Sequence, residues 1–295
     1  MPNQATDTQS EIRERIRRNR RRTRLYTVSR ILFILFFLVF TVSAVLTAYQ
    51  LYRDRKDAEF YDELSHMVTE PSVTESIAQP EETTDPAASD PDATEGTTEP
   101  AEPAILAKYQ NVYSMNNDLY GWLSIDGTSF NYPVVHTPED EEYYLRRGFN
   151  GKASRGGVPF MDADCETGCG NYLIYGHNMN NGTMFAQLLA YDREEFWKEH
   201  PVISFDTLYE EGDYEVISAF YSRVFYQYET NVFRFYNYHD LTDPEVYQEY
   251  VDQVKAASIY DTGIDASYGE DLITLITCSY GRRHERFVVV AKKQP

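Results

Sequence analysis

Cysteine, tryptophan and positive charge are all in short supply in this chain. Three cysteines and two tryptophans stand among 295 residues. Lys and Arg number 27 against 47 Asp and Glu, a formal net charge of −20. That deficit excludes the basic face that nucleic-acid phosphates need. Cys165 and Cys169 form a C-x3-C pair with no second pair of ligands nearby, so no metal centre is expected. There are no internal repeats. Charge is missing altogether from residues 31–52, "ILFILFFLVFTVSAVLTAYQLY". Lys, Arg and aromatic residues are missing from residues 69–104, which are dense in Glu, Asp, Thr and Pro.

The two local absences set the organisation of the chain. An uncharged apolar stretch of roughly 20 residues is the length a helix needs to cross a bilayer core. A cleaved signal peptide is the nearest alternative, because "VSA" and "LTA" carry small residues. Its apolar part would exceed the usual ~7–15 residues, so an uncut anchor is expected. Residues 1–30 carry nine Arg against Asp7, Glu11 and Glu14, a net +6, which leaves −26 on the remainder. By the positive-inside rule this basic tail stays in the cytoplasm and the rest of the chain lies outside. Four parts are therefore expected: a cytoplasmic tail (1–30), a transmembrane helix (31–52), an extracellular stalk (53–104) and a folded domain (105–295). The stalk opens with a short amphipathic helix, "RDRKDAEFYDELSHM". Its remainder cannot bury enough apolar surface to offset chain entropy and is expected to be disordered and extended.

The folded part begins with an amphipathic helix bearing Ile105, Leu106, Tyr109, Val112, Tyr113 and Met115 on its apolar positions. Short strands bounded by turn signals follow: "GWLSI", "YPVVH", "GVPFM", "NYLIYGH", "VISFDTLY", "DYEVISAFYSRVF", "LITLITC" and "RFVVVAKK". Asp126-Gly127 and residues 209–213 read as hairpin connections. Helices are expected at "MFAQLLAYDREEFWKEH" and "DPEVYQEYVDQVKAASIY". The second has Val246, Tyr247, Tyr250, Val251 and Val254 on its apolar positions. Eight strands in one mainly β domain predict a closed barrel or a sandwich.

In an exported domain Cys165 and Cys169 are close enough to form a disulfide, although two free thiols are also open. Either way Cys278 stands alone, at the end of an apolar strand, and an odd thiol marks a reactive group. A thiol nucleophile needs a base and a donor for the oxyanion it generates. Among six histidines, His136, His200 and His239 adjoin turn residues, whereas His177 ends an apolar strand before a polar, Gly-containing loop, "YGHNMNNGTMF". Cys169 is not its partner: the intervening strand spans roughly 26 Å at ~3.3 Å per residue. Arg286 opens the strand after Cys278 and can face it across a hairpin. A guanidinium is permanently charged and forked, suited to a carbonyl oxyanion. Arg282, Arg283 and His284, in the intervening loop, are the rivals.

These residues carry a resemblance. "TLITC" followed by "RFVVVAKK", together with "YGHNM…GTMF", resembles the signature of the sortase family. "DLYGWLSIDGTSFNYPVVHTPEDEEYYLRRGFNGKASRGGVPFMD" and the helix before the Cys strand are similar to class B members. The resemblance covers nearly all of residues 105–293. It implies a closed eight-stranded sortase-like β-barrel with an N-terminal helix and an inserted helix before the Cys strand. It implies a cysteine transpeptidase acting without a cofactor. Cys278 would attack a threonine carbonyl in a C-terminal sorting motif of a surface protein. His177 would serve as acid and base, Arg286 would stabilise the oxyanion, and Thr277 and Leu145 would contact substrate. The acceptor would be an amine, with peptidoglycan expected over pilin because the chain ends soon after its last strand. Glu141 stands where the family often has Asn. The competing readings are a papain-like peptidase, which would place Cys before His, and an inactive binding module, which would lack one of the three residues.

Overall fold

The computed structural model describes residues 4–69, 103–278 and 285–295. The acidic stretch expected to be a disordered tether falls largely outside these residues. So does the loop holding Arg282, Arg283 and His284. The chain divides into two compact units, Met1–Arg55 and Lys56–Pro295. The described part of the first unit is a single helix, the N-terminal portion of α1 (Gln4–Thr69). From Leu25 onward α1 is long and apolar enough to cross a membrane, and its large apolar side chains from Ile31 to Tyr52 are exposed.

The second unit is built on eight strands: β1 (Leu119–Ser124), β2 (Asn131–Val135), β3 (Phe160–Met161), β4 (Asn171–Gly176), β5 (Val202–Thr207), β6 (Asp213–Arg223), β7 (Leu272–Cys278) and β8 (Glu285–Lys293). They pair in the order β1-β2-β3-β4-β7-β8-β6-β5, and β5 pairs back onto β1. The β2–β3 and β4–β7 pairs are parallel and the others antiparallel. Both expected hairpins are present: Asp126-Gly127, with Gly127 at φ +73°, turns β1 into β2, and residues 208–212 turn β5 into β6. β7 is buried along six of its seven residues, as expected of a strand flanked on both edges and covered on both faces. β3 is shorter than the run "GVPFM" suggests. Gly157 takes a left-handed φ of +62°, and Pro159 has no N–H to give a ladder.

Helices cover the sheet. α2 (Ala107–Met115) buries Tyr109 and Val112. The segment expected as one helix at "MFAQLLAYDREEFWKEH" is two. A 3-10 helix (Phe185–Asp192) buries Phe185, Leu188 and Tyr191, and α3 (Glu194–Glu199) follows an extended Arg193. The spacing of three between those buried residues matches the three residues per turn of a 3-10 helix. α4 (Pro244–Ala257) starts where the sequence places it. The Asp243 carboxylate accepts from the N–H groups of Glu245 and Val246, and Pro244 occupies the first turn. It buries Tyr247, Tyr250, Val251 and Val254. Val246, expected on the same face, is exposed. The end of α1 also belongs to this unit: Tyr61 and Leu64 are buried in the core cluster. The folded domain thus begins well ahead of residue 105.

The candidate active site

β7 carries the thiol to the rim of the sheet. Cys278 is its last residue and the only partly exposed one. Across the antiparallel β7–β8 pair, Cys278 and Arg286 are direct partners in register. On its other edge β7 runs parallel to β4, and Gly176 pairs with Thr277. The next residue on β4's side is His177, so the register brings His177 level with Cys278. Two hydrogen bonds hold this junction. Thr277 Oγ1 donates to the Gly176 carbonyl at 2.8 Å, and Asn178 Nδ2 donates to the Cys278 carbonyl at 2.9 Å.

Gly176 is required by what lies under it. A β-carbon at this position would overlap the ring of Phe185, whose N–H donates to the His177 carbonyl at 2.9 Å. His177 Nε2 lies 2.9 Å from the Leu145 carbonyl. A carbonyl only accepts, so the Nε2 proton is fixed there and Nδ1 is left as the basic nitrogen. Burial lowers the imidazole from its ordinary value. The Leu145 hydrogen bond opposes this, and the charges of Arg146 and Arg286 add to the lowering. The ring is therefore neutral at neutral pH, the form a general base requires.

Cys278, His177, Arg286, Thr277 and Leu145 all line one cavity of about 540 Å³. Its walls are largely apolar, with Val158, Phe160, Ile276 and Phe235 contributing. Glu141, Glu142 and Asp162 add carboxylates. Thr277 is 1% exposed and its hydroxyl proton is committed to Gly176, so it fastens β7 to β4. Leu145 lines the cavity and also supplies the carbonyl that holds the histidine. Among the described residues no hydrogen bond joins Cys278 Sγ to His177 or Arg286, and no carboxylate pairs with Arg286. Asn178 escaped the sequence reading although it directly follows His177. Asp162 escaped it too; its carboxylate accepts from Tyr175 OH at 2.9 Å in the cavity wall.

Cys165 and Cys169 are free, buried thiols rather than a disulfide. Both sulfurs reach the Asn171 carbonyl, at 3.5 and 3.3 Å. Their mutual hydrogen bond raises Cys165 and lowers Cys169. Each thiol is satisfied in its reduced state, at the far end of β4 from His177. Among the described residues, no group of three or more His, Cys, Asp or Glu is placed to hold a metal ion.

The sequence and the fold have counterparts among known proteins. The family model described as Sortase domain matches residues 123–294. Sortase B of Staphylococcus aureus is 31% identical over 192 residues, 64% of this chain and 75% of that protein. Sortase B of Listeria monocytogenes is 32% identical over 186 residues, 62% of this chain and 71% of that protein. Among solved structures, sortase B from B. anthracis superposes with a TM-score of 0.56 at 31% identity, covering 64% of this chain and 84% of that one. A complex of S. aureus sortase B with substrate superposes with a TM-score of 0.55 at 29% identity, covering 65% and 86%. The chain belongs to the sortase family, the cysteine transpeptidases that act on surface proteins. Within that family its likeness is to class B.

Proposed function

We propose that this chain is a membrane-anchored envelope transpeptidase that joins proteins bearing a C-terminal sorting motif to an amine of the cell wall. Cys278 is its nucleophile, His177 its acid and base, and Arg286 its oxyanion donor. The observation that carries the reading is the register: Cys278 opposite Arg286 on one edge, and His177 one residue past the Thr277–Gly176 pair on the other. All three open into one cavity.

In the first half-reaction Cys278 Sγ bonds to the carbonyl carbon of the motif's threonine and its proton passes to His177. The oxygen takes up negative charge, and the Arg286 guanidinium stabilises it. Collapse breaks the C–N bond, and His177 returns the proton to the departing amine. A thioester on Cys278 remains. An incoming amine then attacks that thioester and gives its proton to His177. The thiolate leaves and regains a proton, and a new amide is formed. The lowered proton affinity of the half-buried His177 suits the acid step, since a poorly solvated imidazolium gives up its proton readily. The ring of strand pairings is the closed barrel that holds these residues at its rim. Leu145 forms part of the substrate groove. The apolar part of α1 is the anchor, with residues 1–30 in the cytoplasm and the catalytic domain outside.

The test uses the full chain in detergent with a panel of sorting-motif peptides, with and without a diamine or a cell-wall peptide. Mass spectrometry should find a thioester adduct on Cys278 and an amide product with the amine. Turnover of the same substrates by Cys278→Ala would sink the mechanism.

A further inference from the structure

The residues that fix His177 are themselves gripped by the end of α1. Asp57, Tyr61 and Leu64 recur at helical spacing and share one face. Asp57 Oδ2 accepts from Ser154 Oγ at 2.7 Å. Tyr61 OH donates to the Gly157 carbonyl at 2.8 Å, and its ring meets Tyr132 edge-on at 5.7 Å. Tyr61 is 3% exposed and Leu64 1%.

Both contacts of Tyr61 lead to the histidine by short paths. On one side, the segment Ser154–Val158 clamps the 3-10 helix Tyr143–Arg146. Ser154 N donates to the Arg146 carbonyl at 3.0 Å and Val158 N to the Tyr144 carbonyl at 3.3 Å. Gly157 lies so close that a β-carbon there would fall 2.5 Å from the Tyr144 carbonyl oxygen and 2.9 Å from that of Leu145. The Leu145 carbonyl is the one that accepts from His177. On the other side, Tyr132 OH accepts from Met184 N at 2.9 Å. Met184 holds a left-handed φ of +56° and bridges Asn178, closing the loop that starts at His177.

We infer that the α1 face Asp57–Leu64 is a positioning element of the transpeptidation reaction, acting through Tyr61 on the two segments that hold His177. The inference rests on the proposed role of His177 as acid and base. The segment the sequence reading made part of a stalk is on this account part of the enzyme. Tyr61 touches no reacting atom. It fixes the Leu145 carbonyl, which selects the tautomer and orientation of the imidazole, as a hydrogen-bond partner on the second nitrogen does for other working histidines.

The experiment compares full-length Tyr61→Phe, Ser154→Ala and His177→Ala with wild type in detergent, using a sorting-motif peptide and a diamine. Rates are expressed per folded molecule from circular dichroism. Tyr61→Phe keeps the ring and loses the hydroxyl. It should lower kcat on the order of tenfold, a fraction of what general acid–base catalysis supplies, with KM within about twofold. The Leu145 bond favours protonated His177, so loosening it should move the acid limb of kcat/KM to lower pH. The charges that act on the ring, Arg146 and Arg286, and the titratable groups that share its cavity, Glu141, Glu142, Asp162 and Cys278, are unchanged in the variant. Ser154→Ala, which cuts the Asp57 contact from the sheet side, should show the same pattern more weakly. Wild-type kcat and an unmoved limb in both variants would overturn the inference. So would a loss of folded protein with kcat per folded molecule intact. Full activity of His177→Ala would instead remove the acid–base assignment, whereas an inactive His177→Ala beside a wild-type Tyr61→Phe would remove the positioning role alone.

Discussion

Replacing Gly176 with alanine puts a β-carbon 2.5 and 2.7 Å from Cδ1 and Cδ2 of the Phe185 ring, and nearer still to Cγ. Carbon atoms in ordinary contact sit about 3.5–4.0 Å apart, so something must yield by roughly 1 Å. Phe185 is fully buried, and its N–H is bonded to the His177 carbonyl, so the ring has no route into solvent. Gly176 is also pinned through its own carbonyl to Thr277. The strain therefore falls on the turn into His177. Overpacking of this kind costs about 1–3 kcal/mol. A catalytic group displaced by about 1 Å costs on the order of 10²-fold in rate. Gly176→Ala should thus lose ~1–3 kcal/mol in urea unfolding and about 10²-fold in kcat/KM on a fluorogenic sorting-motif peptide. Adding Phe185→Ala, which removes Cγ and both Cδ atoms, should restore part of the lost kcat/KM. Wild-type kcat/KM and an unchanged unfolding midpoint in Gly176→Ala would refute the claim that this packing places the histidine.

Thr277→Val keeps the side chain's shape but leaves the half-buried Gly176 carbonyl without this donor. It should cost about 1–3 kcal/mol in the same unfolding assay. Arg146→Ala addresses the histidine's charge. Protonated His177 cannot act as base, so activity falls as pH drops through its pKa, which lies below the ordinary 6.5. Removing a nearby positive charge eases protonation, and the acid limb of kcat/KM should move to higher pH. A limb that stays put would show that Arg146 does not reach the ring electrostatically. Arg286→Ala should lower kcat by about 10²–10³-fold, the usual loss for one oxyanion donor. Arg286→Lys should recover little of it, because an ammonium lacks the planar fork; a kcat near wild type in either variant would argue against the oxyanion role.

Local pattern made most of the architecture readable. All eight strands follow from apolar runs and turn residues. Asp243-Pro244 marks the start of α4 because capping is a matter of adjacent residues. The departures arise where distant packing decides. The backbone of residues 185–199 divides into a 3-10 helix and α3, a distinction that hydrophobic periodicity over so short a span does not draw. Val246 faces outward since α4 presents only the other apolar residues to the core. Tyr61 and Leu64 look like residues of a stalk helix until the partner surface, Tyr132 and residues 154–158, is in place. At the site, the spacing of Cys278 and Arg286 in a hairpin is local and legible, and His177 is marked by its place at a strand end. The Leu145 carbonyl is not, because any residue offers a carbonyl and only the fold says which one meets the imidazole.

The parallel pairing of β4 with β7 has a consequence for when the enzyme becomes reactive. The Cys278–Arg286 hairpin is a short-range contact that can form early. His177 and Cys278 are separated along the chain by α3, β5, β6 and α4, and meet only when β4 and β7 pair. Contacts of such long sequence separation form late and slowly. No partial fold lacking the β4–β7 ladder can bring base and thiol together. A chain stalled as a half-built sheet carries Cys278 without His177 beside it. Readiness for chemistry is in this sense a report that folding is complete.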